Sequence, residues 1–318
     1  MSEVVGISKR KLNNFIYKDS TSSFIAGGIA GCLSRTAVSP FERVKVLYQV
    51  QGPGANSSYN DGVIKTVIKI WKEEGFKGLF RGNGINCIRV FPYSAVQYAC
   101  YQYIKPFLLK PGDLELTTTN KLIAGGISGA ASVICTYPLD LVKTRLSIQT
   151  ASLKNLTKSK INVSKNEKPP GMFRSLINIY HNEGKIWGLY RGIWPTTLGV
   201  APYVSLNFTI YEKLKEFFVP VEHKYDSIVK LLVGAASGGI SQTLIYPFDI
   251  LRRRFQVLSM GTGEMGFAYT GVTHALVTIV KLEGYRGLYK GLVANLFKIC
   301  PSMAIQWASY ELIKEQFI

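Results

Sequence analysis

Three short runs of the 318-residue chain place an acid and a base three residues apart: SPFERVK, YPLDLVK and YPFDILR. Counted from Pro40, Pro138 and Pro247, the acid stands two residues on (Glu42, Asp140, Asp249) and the base five on (Lys45, Lys143, Arg252). At that spacing the two share a helix face, so each run presents one anion and one cation in one direction. A second set follows the glycines of FRG, YRG and YKG (Gly82, Gly192, Gly291) by seven residues: Arg89, Gly199 and Lys298. Two cations in apolar surroundings are suited to anionic groups, the guanidinium as a planar fork for phosphate or sulfate and the ammonium as a mobile point charge. Gly199 with Val200 leaves room for a flat ring, and Arg35 adds a third cation. No bond-making set accompanies them. Three scattered histidines and five cysteines without a C-x-x-C pair assemble no triad and no metal centre, so no enzyme, metal or cofactor is expected.

Residues spaced this regularly need rigid elements to hold them. Small-residue pairs lie thirteen and nine residues before each proline: Gly27 and Gly31, Gly125 and Gly129, Gly234 and Gly238. After each FRG-type glycine, a proline follows at ten residues (Pro92, Pro202, Pro301) and a tyrosine at nineteen (Tyr101, Tyr211, Tyr310). Spacing within the two blocks is constant, while the distance between them is 42, 54 and 44 residues. Helices require fixed spacing and connections tolerate insertion. The chain therefore reads as three copies of helix, connection and helix, at 21–115, 116–221 and 222–318, after an N-terminal segment 1–20. The excess of the second copy falls in the polar stretch Thr150–Pro170. Each connection carries an amphipathic segment ending in EG (GVIKTVIKIWKEEG, FRSLINIYHNEG, GVTHALVTIVKLEG), predicted as a helix lying on a membrane surface.

Hydrophobic residues make up 47% of the chain and charged residues 18%, yet no run of 18 clean apolar residues occurs. The interruptions are the charges themselves. Charges in membrane helices turn inward and pair, so three copies predict a ring at one depth. A second ring is predicted at the other mouth from Tyr211, Glu212 and Lys215 and from Tyr310, Glu311 and Lys314. Its first copy, Tyr101, Gln102 and Lys105, lacks the acid, which makes it the weaker closure. The expected fold class is an all-α membrane protein of six transmembrane helices in three pseudo-threefold repeats with short membrane-surface helices.

A formal net charge of +18 calls for anionic partners: an anionic small molecule, or anionic lipid at the membrane surface. Nucleic acid is disfavoured, because the bases flank apolar segments and no nucleic-acid motif appears. Two motif matches carry nothing. GTGEMG at Gly261–Gly266 follows no strand, and Asn56, Asn155, Asn162 and Asn207 match a glycosylation pattern without an export signal.

P-x-[DE]-x-x-[KR] three times, each followed by [DE]-G and [FWY]-[KR]-G, resembles the mitochondrial carrier family over nearly the whole chain. One copy, EGKIWGLYRG, holds an extra residue between Gly184 and Tyr190, and a local adjustment is expected there. The resemblance implies a monomeric, multi-pass inner-membrane carrier with alternating access to a central site. It pairs Glu42 with Lys143, Asp140 with Arg252 and Asp249 with Lys45 at the matrix side, braced by Gln49 and Gln256, with Ser147 in the third brace position. It also implies substrate contact at Arg35, Arg89, Gly199, Val200 and Lys298. That set is similar to the adenine-nucleotide-type branch. RRRFQV, Arg252–Val257, departs from the RRRMMM of the ADP/ATP carriers. FRGNGINCIR and TYPLDL resemble carriers of adenosine 5′-phosphosulfate and 3′-phosphoadenosine 5′-phosphosulfate. Coenzyme A and ATP, ADP or phosphate are the alternative cargoes.

Overall fold

The computed structural model describes residues 26–52, 62–109, 116–148, 171–218, 226–258 and 269–317. Segment 1–20, Thr150–Pro170, Gly261–Gly266, Asn56, Asn155, Asn162 and the side chain of Lys314 lie outside the described residues. The described residues are helical, without strands. In chain order the helices are α1 (26–37), α2 (Ser39–Val50), α3 (Val63–Glu74), α4 (Asn83–Leu108), α5 (Thr118–Ile148), α6 (Met172–Asn182), α7 (Ile193–Phe218), α8 (Asp226–Val257), α9 (Val272–Glu283) and α10 (Leu292–Phe317). Single helical turns Phe76–Leu79, Ile186–Leu189 and Tyr285–Tyr289 precede α4, α7 and α10.

The three repeats are visible in the lengths. Helices α4, α7 and α10 each have 26 residues, about 39 Å at 1.5 Å per residue, enough to cross a hydrocarbon core of about 30 Å. Helices α5 and α8 run 31 and 32 residues, continuous through Pro138 and Pro247. In the first repeat the corresponding segment is interrupted at Val38, and α2 restarts with Pro40 in its first turn, where a missing N–H costs nothing.

The short helices α3, α6 and α9 each bury one pair of side chains four residues apart, Thr66 and Ile70, Ser175 and Ile179, Ala275 and Ile279. Their other faces are left out. Three apolar clusters tie each short helix to the first helix of its repeat, for instance Ile279 and Ala275 against Ile250 and Leu251 and Ile179 against Leu141 and Val142. All four tryptophans are more than half exposed, as are Ile88, Ile127, Leu198 and Phe297. An apolar belt of this kind with exposed indoles fits a bilayer and its interfaces. Among the described helices, one stretch, Thr119–Ile148, is long and apolar enough to be read as a span unaided. The others fall short for different reasons: α7 carries no charge from Ile193 to Ile210 but is interrupted by Pro195, Pro202 and Asn207.

The extra residue of the second repeat is absorbed where the spacing predicted. Gly75 and Gly284 close α3 and α9 with φ of 74° and 69°, but α6 ends a residue earlier and Lys185 adopts φ 57° beside Gly184. It is the non-glycine residue with positive φ among those described. The bundle around it is unchanged.

Most of the small-residue pairs have room beside them. A side chain at Gly27, Gly125 or Gly129 would meet nothing within 4 Å, and the close approach in the first repeat is made by Gly28 against Phe91. These positions lie toward the end away from α3, α6 and α9.

Candidate functional site

At the end that carries α3, α6 and α9, the three acids and three bases meet between repeats. Lys143 Nζ lies 2.7 Å from Glu42 Oε1, Arg252 Nη2 2.6 Å from Asp140 Oδ2, and Lys45 Nζ 3.0 Å from Asp249 Oδ2. Each acid thus reaches the base of the next repeat in cyclic order. Gln256 Nε2 donates to Asp140 Oδ2 at 2.9 Å and Gln256 Oε1 accepts from Thr144 at 2.8 Å. Gln49 braces its pair indirectly: its amide donates to the Tyr246 hydroxyl at 3.1 Å, and Lys45 sits 5.6 Å over that ring. Ser147 instead donates to Lys143 O at 2.8 Å. Both glutamines are fully buried. This end is sealed.

The glycines after each [FY]-[RK] pair have a steric reason to be there. Gly82, Gly192 and Gly291 hold φ of 86°, 84° and 85°, and a Cβ on them would come within 3.3 Å of Lys143 O, Arg252 O and Lys45 O respectively. Each second helix therefore begins against the base of a neighbouring repeat, with no space for a side chain.

The cations assigned to substrate turn back onto the ring. Arg89 Nη1 lies 3.1 Å from Asp140 Oδ1 and Lys298 Nζ 3.8 Å from Glu42 Oε1. Arg35 donates to Asn86 Oδ1 at 3.1 Å. Asn86, 1% exposed, also accepts from Lys143 at 2.9 Å and donates to Glu42 Oε2 at 3.2 Å. Gly199 stands apart from this group. A Cβ there would meet Phe248 Cβ at 3.3 Å, so its smallness serves the approach of α7 to α8 and the room expected for a ring is filled on that side. Val200 is half-buried.

At the opposite mouth Tyr101, Lys105, Tyr211 and Tyr310 are half-buried, and Gln102, Glu212, Lys215 and Glu311 are exposed. Among the described residues, Lys105, Glu212, Lys215 and Glu311 make no ion pair. Among the described residues, this mouth lacks the ion pairs that join the repeats at the other.

Sequence reasoning missed a second cyclic set beneath the ring. Arg43 pairs with Glu74 at 2.8 Å, Arg145 with Glu183, and Arg254 with Glu283 at 2.6 Å. Each arginine also donates through Nε to a backbone carbonyl of a neighbouring repeat, Ser147 O, Gln256 O and Gln49 O. The signal was broken by register: Arg145 and Arg254 lie seven residues past their prolines, whereas Arg43 lies three past Pro40 and reaches the same partner from one turn earlier. Tyr137 and Tyr246 were missed too. Their hydroxyls donate to Arg191 O at 2.8 Å and Lys290 O at 3.0 Å, and Ser39, at that position in the first repeat, donates to Leu79 O at 3.4 Å.

Glu283, at the end of α9, holds its proton less tightly than burial alone would dictate. Desolvation raises its affinity, but hydrogen bonds and charge from Arg254 and Lys290 outweigh it and bring the carboxyl below the usual glutamate range. Stability from this link is therefore present above the ordinary glutamate range and is lost as the pH falls through the lowered folded value. Glu283→Gln removes the carboxylate that holds Arg254, 0% exposed, at 2.6 Å. The expected cost is on the order of 3 kcal/mol, read as a lower thermal midpoint in detergent. An unchanged midpoint would refute the structural role.

Comparison with known proteins agrees with this geometry. The mitochondrial carrier protein family matches the chain three times, over residues 18–112, 114–222 and 223–318. An uncharacterised mitochondrial carrier of Saccharomyces cerevisiae is 52% identical over 323 residues, covering 98% of both chains. A mitochondrial adenine nucleotide transporter of Arabidopsis thaliana is 38% identical over 96% of this chain and 89% of its own. The mitochondrial carrier protein CoAc1 of Zea mays is 37% identical over 91% of this chain and 85% of its own. Three matched repeats, helices with interrepeat ion pairs and relatives aligned nearly end to end leave one assignment, and the chain belongs to the mitochondrial carrier family.

Proposed function

We propose that this carrier exchanges anionic adenine nucleotides across the mitochondrial inner membrane as a multi-pass monomer, with adenosine 5′-phosphosulfate and 3′-phosphoadenosine 5′-phosphosulfate as its cargo. One observation carries the reading: the two cations placed seven residues into α4 and α10 are held by the same acids that close the matrix ring. An anionic cargo entering from the mouth opposite the ring competes with Asp140 for Arg89 and with Glu42 for Lys298. Every ion pair the cargo forms with these cations weakens the ring, so binding and opening are one event. Tyr101, Tyr211 and Tyr310 with Lys105, Glu212, Lys215, Glu311 and Lys314 then close the outer mouth, and the helices drawn together there bring the free glycines against one another. The cargo drives the change only by binding the intermediate better than either end state.

The adenine part of the reading is supported by the names of the Arabidopsis and maize relatives, which speak of an adenine nucleotide and of CoA. The test is uptake into liposomes holding purified protein and loaded in turn with adenosine 5′-phosphosulfate, its 3′-phospho form, ADP, ATP, coenzyme A and phosphate. Fast exchange of the sulfated nucleotides is expected. Coenzyme A or ADP outrunning them would reject the phosphosulfate cargo and keep the carrier.

A further inference from the structure

The first repeat carries a pair of thiols that the other two lack. Cys32 stands eight residues before Pro40 and Cys87 five after Gly82. The same offsets give Ala130 and Thr197 in the second repeat and Gly239 and Leu296 in the third. These are positions where the two helices of a repeat touch. In the third repeat a Cβ on Gly239 would meet Leu296 Cδ2 at 3.6 Å. In the first the contact is reciprocal: Cys32 Sγ lies 3.8 Å from Cys87 O, and Cys87 Sγ 3.8 Å from Cys32 O. Each sulfur sits against the other residue's backbone in the seam between α1 and α4, and the two thiols are near enough to share a hydrogen bond.

The seam holds the thiols in place without hiding them. Thr36 donates to Cys32 O at 2.8 Å and lies 3.8 Å from Cys87 Sγ. Asn83 donates to Thr36 Oγ1 at 2.9 Å, and its Oδ1 lies 3.9 Å from Cys87 Sγ. Both cysteines are half-buried, each next in sequence to an exposed member of the apolar belt, Leu33 and Ile88. A small neutral oxidant that crosses a bilayer reaches them from that side. Cys100 lies thirteen residues further along α4, and Cys135 stands on α5.

We propose that Cys32 and Cys87 form a dithiol modification site, which hydrogen peroxide closes into a disulfide that staples α1 to α4 and slows exchange. One thiol is oxidised by the peroxide to a sulfenic acid, and water leaves. The second thiol attacks that sulfur, the S–S bond forms, and a second water carries off the hydroxyl and the proton. Two thiols thus give up two electrons and two protons, and one peroxide becomes two waters. A thiol reductant reverses the bond. Its effect follows from where the gating groups stand. The ring acids and bases are on the first helices of the repeats, and the groups proposed to close the outer mouth are on the second, α4, α7 and α10. Opening one end and closing the other shifts second helices against first ones. A covalent staple resists that shift, in the repeat that carries Arg35 and Asn86. The effect on exchange rests on the nucleotide reading above; formation of the bond does not.

Purified, reduced full-length carrier in liposomes is treated with hydrogen peroxide, alkylated, digested and mapped by mass spectrometry. The Cys32 and Cys87 peptides are expected to be joined, and adenine nucleotide exchange to fall roughly tenfold, as for a blocked conformational step, and to return with dithiothreitol. Cys32→Ser and Cys87→Ser should each exchange normally when reduced and keep exchanging after peroxide. A redox-neutral probe tests the pairing on the wild-type chain alone. Phenylarsine oxide, which bonds two thiols at one arsenic with loss of water, should bridge the same two cysteines and protect them from alkylation. Peptides that stay separate and singly alkylated under both reagents overturn the site. Peroxide inhibition that persists in both serine variants, or a mapped disulfide that leaves exchange unchanged, overturns the staple as a control on transport. If the reduced wild-type protein exchanges no adenine nucleotide, the nucleotide reading fails, and the mapping still decides whether the dithiol exists.

Discussion

Arg89→Glu is expected to abolish exchange, by a hundredfold or more, in a carrier that still inserts and unfolds cooperatively. A charge-assisted hydrogen bond contributes about 1.5–3 kcal/mol, and each 1.4 kcal/mol is tenfold in binding. Reversal removes that bond and puts a carboxylate where the cargo brings its own anions. The fold tolerates the change because Asp140 keeps Arg252 at 2.6 Å, Arg253 at 3.2 Å and Gln256 at 2.9 Å. Arg89→Lys separates charge from shape. It retains the cation but loses the planar fork, so a partial loss of about tenfold is expected. Uptake into liposomes checks both variants, with thermal unfolding in detergent as the folding control. Wild-type exchange by Arg89→Glu would sink the assignment of this arginine to the cargo.

What could be read from the sequence is what repeats in register. Glu42, Asp140 and Asp249 and their bases were legible because three copies carry them at the same offset from a proline, and a threefold bundle gathers equal offsets to equal depth. Residues without that periodicity were silent. Arg253 stands where the other copies have Val46 and Thr144, yet it donates to Asp140 and Gln256 and turns the Asp140 pair into a cluster. Asn86 is one helical turn past Gly82, and its equivalents are Thr196 and Asn295; nothing in its type marked it as the link between Arg35 and the Glu42 pair. Gly199 reads two ways from sequence: a missing side chain can leave room for a flat ring, and it is also how two helices come close, and on the α8 side a Cβ would meet Phe248 at 3.3 Å. The extra residue of the second repeat was legible in position, while its resolution into a positive φ at Lys185 was not.

The same asymmetry ranks the three closures of the sealed end, and Asp140→Asn is the sharpest probe of it. Asp140 is 1% exposed and, among the described residues, is the carboxylate within 3.2 Å of three guanidiniums. The amide still accepts hydrogen bonds but cancels no charge, so Arg89, Arg252 and Arg253 are left to repel one another. Breaking a buried pair by removing one partner costs about 3–5 kcal/mol, enough to move a closed end to a substantial open population. Asp249→Asn should do less, because Asp249 is the most exposed of the ring acids, 27% by side chain, and holds Lys45 and the Gln242 amide alone among the described groups. The readout is a cysteine placed at Val50, which is 6% exposed at the sealed end, in a chain whose native cysteines are replaced by serine. A membrane-impermeant thiol reagent applied on the side of the sealed end should label it at least tenfold faster in Asp140→Asn than in the parent, with Asp249→Asn between the two. Equal labelling in the two variants would mean that the ring opens as a symmetric unit and that the crowd of arginines at Asp140 adds nothing to closure.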